Sequence, residues 1–205
     1  GFGDGEPVRL KVWITSDAPS RLTQPDLDVL ASVTRAIHQE CPLAIEYHSI
    51  TSGRTDREIV PFALLDNGSR WHVRAFDRKS QEFRDFVITR IKNPVVMKGA
   101  PVQPHERSDQ DIQWTRIVEL ELVPHPDQPR PEITEMDYGM RDGVLRMKLR
   151  AATAGYILRK WSVDCSSDHC LRGPEYRLWL RNPLALYGVI NAVLGPSYRH
   201  PTESK

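Results

Sequence analysis

Two rhythms of apolar and polar residues alternate along the chain. Between Gln24 and Glu40 the apolar positions Leu27, Leu30, Val33 and Ile37 trace one helical face, with Thr34 its one polar member. Thr23 stands ahead as an N-cap, Pro25 suits the first turn, and Asp26 lies near the positive helix end. The stretch predicts an amphipathic helix of about three turns. From Leu43 to Met97 the period drops to two. "LAIEYHSI", "REIVPFALLD", "SRWHVRAFD" and "RDFVITRI" are β-type runs parted by Ser-Gly, Asn-Gly and Lys-Ser turns. Short strands so closely spaced predict a small, strongly bent sheet or barrel.

Beyond them, "MKGAPVQPHERSDQ" is Pro-rich and polar and marks a domain boundary. "WTRIVELELV" alternates again and offers Trp114, Ile117 or Val118, Leu120 and Leu122 to a core. "PHPDQPRP" cannot stay in a ladder and reads as a loop. "GVLRMKLR" is a strand after the Asp142-Gly143 turn, "AATAGYILRKW" a short helix weakened by Gly155, and "EYRLWLRN" a strand. Asn182-Pro183 opens a helix over "PLALYGVINAVL" that Gly195-Pro196 stops. The order β-β-α-β-α predicts one sheet with helices on one face. The expected class is mixed α+β. Its parts are a connecting arm with one possible strand (1–22), a helix plus barrel (23–98), a linker (99–111), an α+β domain (112–198) and a disordered tail (199–205).

Composition changes little in this picture. With 205 residues, 40% hydrophobic and 27% charged, the chain has an ordinary globular make-up. A net charge of +1 excludes a general polyanion binder, so any anion site must be local. No apolar run approaches the roughly 18 residues of a membrane span, and no secretory leader is recognisable, so no membrane is expected. Cys41, Cys165 and Cys170 are too few and too odd in number for a disulfide framework, which favours a reducing cytoplasm. The chain begins Gly-Phe-Gly, without methionine, and reads as a trimmed piece.

The charge pattern inside the β-rich region is more informative. By alternation His72, Arg74 and Phe76 share one strand face, opposite Trp71, Val73 and Ala75. Arg84, Phe86, Ile88 and Arg90 share a face of the next run. Tyr47, Ser49 and Arg57 from the preceding strands complete a donor-rich set. A guanidinium withdrawn from water must meet an anion. The neighbouring Glu46, Asp56, Asp77, Glu82 and Asp85 would serve, giving an internally paired sheet face. A ligand's phosphates would serve too, with Tyr, His and Phe rings as stacking faces for bases. Composition leaves both readings open.

"DCSSDHC", residues 164–170, gathers thiols, imidazole and carboxylates. Cys-x4-Cys without a second pair is not zinc spacing, so a polar hairpin loop and no metal are expected. A nucleophile elbow, a Gly-rich phosphate loop and His-x-x-x-His spacing are all missing, so neither an enzyme nor a cofactor is expected. His105, His125 and His200 sit in Pro-rich loops and read as solvated, while His38 late on the first helix suits its negative end.

"IEYHS", the following arginine and "IVPFAL", then "GSRWHVRAF" and "FRDFVITRI", resemble in order the signature of WYL domains, over residues 41–92. The likeness is to transcription regulators of the CapW/BrxR type found beside phage-defence operons, where Trp-Tyr-Leu often reads Trp-His-x-Arg-Ala. Here Trp71-His72-Val73 stands in its place, without the name-giving tyrosine. "WTRIVELELVPHP" and "LRAATAGYILRKWSVD" resemble, more weakly, the family's C-terminal WCX extension.

The resemblance implies an Sm-like or SH3-like β-barrel (the WYL domain) whose basic ligand pocket comprises Tyr47, Ser49, Arg57, His72, Arg74, Arg84 and Arg90. It implies a WCX domain that crosses to a partner in a homodimer. It also implies an N-terminal winged helix-turn-helix for operator DNA, which has no counterpart in the first 22 residues. The expected role is the ligand-sensing and dimerising region of a bacterial repressor, with a nucleotide or short single-stranded nucleic acid as effector. A module gripping longer nucleic acid or a protein is the alternative, and a nucleotide-processing enzyme a more distant one. Alanine at Arg74 and Arg84 is then expected to abolish ligand binding and leave the fold intact.

Overall fold

The computed structural model describes residues 23–200. The expected arm (1–22) and most of the expected tail (201–205) lie outside the described residues. Helix α1, Leu27–His38, is capped by Asp26 and not by Thr23, because the Asp26 carboxylate accepts the amides of Asp28 at 2.8 Å and Val29 at 3.4 Å. The buried stripe is accordingly Val29, Val33 and Ala36, flanked by half-buried Leu30 and Ile37, and Leu27 is left exposed.

Five strands follow: β1 Leu43–Ser49, β2 Gly53–Asp66, β3 Trp71–Asp77, β4 Glu82–Val87 and β5 Ile91–Val96. They form one antiparallel sheet in the order β4-β3-β2-β1-β5. Consecutive strands β4 and β5 therefore lie at opposite edges, joined only by the 3-10 turn Ile88–Arg90. A flat five-stranded sheet would hold its edges about 19 Å apart. The four peptide steps from Val87 to Ile91 reach at most about 14 Å. The sheet must roll, and Tyr47 marks the roll. Its hydroxyl on β1 accepts the backbone N–H of Val87 at 3.2 Å, and its ring meets that of Phe86 edge-on at 5.0 Å. Leu43, Ile45, Ile59, Val73, Phe86, Ile88 and Ile91 fill the interior, and Val33 and Ala36 of α1 join the same core.

Pairing fixes which side chains share a face. Val73 lies opposite Phe86 and Ala75 opposite Arg84, whereas Arg74 lies opposite Asp85 and His72 opposite Val87. Arg84 is thus on the face of Val73 and Ala75, not with Arg74, and the turn at Ile88 takes Arg90 out of the alternation. Both faces of β3 are covered, which is why His72 and Arg74 are buried although they point away from the barrel interior. In β2 a bulge after Pro61, which has no amide to donate, turns Phe62 outward against Phe83 and Trp114.

The Pro-rich stretch read as a linker is firmly placed. It carries 3-10 turns at Pro104–Glu106 and Ser108–Gln110, then the short helix α2, Ile112–Thr115. Buried Glu106 receives Arg78 Nε at 2.7 Å and Nη2 at 2.8 Å, which straps the segment to the barrel. The second sheet has the order β7-β6-β8, with β6 Ile117–Pro124, β7 Leu145–Arg150 and β8 Leu178–Leu180. Helix α3, Pro131–Tyr138, was not predicted; Pro131 opens it and Gly139, at φ 59°, closes it in the left-handed region. Helix α4, Ala151–Lys160, forms where expected. The predicted last helix is two 3-10 turns, Pro183–Leu186 and Ile190–Leu194, broken at Gly188, whose φ of 72° cannot continue a right-handed helix. Leu120, Leu122, Leu158, Leu178, Leu180 and Leu186 are the heart of this second core.

Candidate anion-binding site

Arg74 is the centre of a buried ionic junction between the two sheets' domains. Its Nε and Nη2 reach the two oxygens of Asp111 at 2.8 and 3.1 Å, and its Nη1 reaches Asp85 Oδ1 at 3.0 Å. Asp85 is delivered by the β3–β4 register. Asp111 is delivered by the strap, where it also caps α2 by accepting the Gln113 amide at 3.0 Å. Burial works against the Arg74 charge, but the hydrogen bonds from Arg74 to Asp111 and the charges of Asp85 and Asp111 outweigh it and raise its pKa. On the far side Tyr156 of α4 donates its hydroxyl to Asp85 Oδ2 at 2.8 Å. Burial and the Asp85 charge push that phenol's pKa far up, so it stays a donor.

Tyr156 also lies against His72, ring centroids 5.2 Å apart at 31°. His72 is 5% exposed, and its Nδ1 has no hydrogen-bond partner. Burial lowers its pKa; the Asp85 charge and a backbone hydrogen bond at Arg70 oppose this, and the charges of Arg70 and Arg90 add to it. Among the described residues neither Arg70 nor Arg90 forms an ion pair with a carboxylate. Beside the junction a cleft of about 1010 Å³ opens between β4, α2, α4 and residues 187–191. Phe83, Tyr156 and Tyr187 give it aromatic walls, and Gln110, Gln113 and Asn191 give it amides. Such a lining suits a planar, hydrogen-bonding group.

The structure gathers some predicted site residues here and sends others elsewhere. His72 and Arg74 meet at the junction, Arg90 lies near His72, and Arg84 borders the cleft. Arg84 is half exposed and paired with Glu82 at 2.7 Å. Tyr47 is a core residue whose hydroxyl serves Val87. Ser49 holds the β1–β2 turn by accepting the amides of Thr51 and Ser52. Arg57 is ion-paired with buried Asp77 and donates to Thr55, beside a separate cleft of about 700 Å³. The expected vacancy of the guanidinium groups therefore fails for Arg57, Arg74 and Arg84. Arg70, Asp111 and Tyr156 were missed as site residues. Asp111 carried one usable signal, as a helix-capping acid just before "IQWT".

His125, expected in solvent, is buried with Nε2 3.2 Å from Asp164 Oδ2. Asp164 organises the "DCSSDHC" loop by accepting the amides of Ser166 and Leu171, and these bonds hold its pKa low against burial. Burial pushes the Cys165 thiol up to about 12. Among the described residues no group of three His, Cys, Asp or Glu is placed to hold a metal, and no helix is long and apolar enough to cross a membrane.

A rolled five-stranded barrel, strapped to a small α+β domain through a buried arginine, defines the class: residues 28–96 match the WYL domain, and residues 117–186 match the BrxR transcriptional regulator C-terminal dimerization domain. Over most of its length the chain is homologous to CapW transcriptional repressors, at about 30% identity. It is 29% identical over 176 residues to the DNA-binding transcriptional repressor CapW of Escherichia coli (strain KTE188), covering 84% of this chain and 57% of that protein. It is 32% identical over 159 residues to CapW of Pseudomonas aeruginosa, covering 76% and 51%. The chain thus spans about half the length of the curated relatives it matches. Among solved structures, the proteasome accessory factor B/C of Arthrobacter aurescens overlaps 85% of this chain and 28% of its own, at 20% identity and a TM-score of 0.38.

Proposed function

We propose that this chain is the effector-sensing and dimerising region of a cytoplasmic transcriptional repressor of the CapW type, governing a phage-defence operon. Operator DNA is then contacted by a part of the protein outside the matched residues. The effector is a nucleotide or a short single-stranded nucleic acid. Its phosphates meet His72, Arg90 and Arg70 and reach the Nε/Nη2 side of Arg74, and a base lies in the adjoining cleft against Tyr156. This pocket keeps His72, Arg74 and Arg90 of the predicted set and leaves Tyr47, Ser49, Arg57 and Arg84 to the barrel itself.

One observation carries the reading: a buried imidazole with an unpartnered nitrogen, within electrostatic reach of two guanidinium groups that have no carboxylate partners among the described residues. A buried polar atom left unpaired is costly, and an incoming anion would satisfy it once the ring is protonated. Fluorescence anisotropy with a labelled oligothymidylate of about eight nucleotides tests it. Arg90→Ala should abolish binding and leave the fold intact; unchanged affinity would reject the pocket. A shallow salt dependence is expected, because a compact site neutralises few phosphates; a steep slope would favour a groove gripping longer nucleic acid. Native mass spectrometry should report two subunits.

A further inference from the structure

The junction around Arg74 holds two carboxylates against one guanidinium. The carboxylates are not equivalent. Asp85 is fixed by the β3–β4 register and by the Tyr156 hydroxyl. Asp111 arrives on the strap, and it alone takes the two-pronged Nε/Nη2 side of Arg74. That forked side is the one that matches the paired oxygens of a carboxylate or a phosphate. With Asp85 remaining, Arg74 stays neutralised whether or not Asp111 is present.

We propose that Asp111 is a resident competitor for the anion site: it occupies the fork of Arg74 as a ligand phosphate would, so effector binding and docking of α2 on the barrel exclude each other. The inference rests on the effector reading above and adds how that site is regulated. Its reach into the second domain is direct. Gln113, two residues on, donates to the Gly188 carbonyl at 2.9 Å and accepts the Ile190 amide at 3.1 Å. Arg116 holds the carbonyls of Tyr187 and Ala185. An anion that displaces Asp111 therefore removes the ionic tie between the barrel and an element that grips residues 185–190, leaving the Trp114–Phe62 contact to hold it. Only the difference in affinity between docked and undocked states can move this balance.

Asp111→Asn separates charge from shape. Asparagine is as good an N-cap as aspartate, so α2 keeps its cap while the fork loses its anion. If Arg74 is free in about one molecule in ten, the labelled oligothymidylate should bind Asp111→Asn about tenfold tighter than the wild-type chain. Amide hydrogen exchange over residues 111–116 should quicken in Asp111→Asn without the probe, and in the wild type with it. Asp111→Glu, which keeps the charge, should bind the probe as the wild type does. Equal or weaker binding by Asp111→Asn, with binding still dependent on Arg90, would overturn the competitor and spare the effector reading. Binding indifferent to both Arg90 and Asp111, or no binding by either protein, would overturn both.

Discussion

Arg74, in the middle of β3, has donors spent on two carboxylates, whereas Arg70 just ahead of β3 and Arg90 just past β4 form no such pairs among the described residues. Both environments act on His72: Asp85 of the first and the two guanidinium charges of the second. The first holds two domains together; the second leaves positive potential facing an imidazole with an open nitrogen. Basic residues on neighbouring strands are thus not equivalent, even where they border one pocket. What separates them is where the acids come from, and one of those acids lies 37 residues away along the chain.

The sharpest way to break this contrast is Arg74→Ala. It strands Asp85 and Asp111 together in a buried place and should cost about 3–5 kcal/mol, read from urea denaturation. The sequence-based expectation that this change spares the fold is thereby reversed. Tyr156→Phe removes one hydrogen bond to a charged acceptor and should cost about 2 kcal/mol, with loss concentrated at the barrel–α4 contact in hydrogen exchange. Arg90→Ala, at the unpaired end, should change stability by no more than about 0.5 kcal/mol while eliminating oligothymidylate binding. Arg84→Ala breaks only an exposed pair with Glu82 and should stay within about 0.5 kcal/mol in stability.

His72 makes the same distinction by pH. Its folded pKa is depressed below the ordinary 6.5, chiefly by burial, so between those two values the unfolded chain binds the extra proton. Stability is then full above pH 6.5 and declines as pH falls toward the depressed value. His72→Gln should flatten that decline in thermal melts taken across the window. Effector affinity should move oppositely and rise on acidification, because the bound anion favours the protonated ring.

The β-rich half was legible because alternation and turn residues act locally: the runs from "LAIEYHSI" to "RDFVITRI" fall on β1 to β4. The face assignment of Arg84 was not, since it depends on how many residues the Lys79-Ser80 turn uses before β4 begins at Glu82. The "WHVRAF" run was recognisable as part of a site, but Arg74's partners lay out of sight. Asp111 sits in a Pro-rich stretch whose polarity reads as linker, and Tyr156 faces outward in an expected core helix. Long-range ion pairs leave no periodic trace. Helix α3 escaped notice because its apolar residues, Ile133 and Met136, are exposed and its only buried side chain is Thr134.

Gly155 was a weakness in the reading of α4, and its place in the fold gives it the opposite meaning. A β-carbon there would lie 1.9 Å from the Asn191 carbonyl oxygen, and Asn191 in turn grips the Gly155 amide and the Ala152 carbonyl. The helix and the 190–194 turn are thereby welded with no play between them. Tyr156, one residue along, is thus tied through its own backbone to the turn that carries the outward-facing Ile190 and Val193, as a handle is to a short stiff lever.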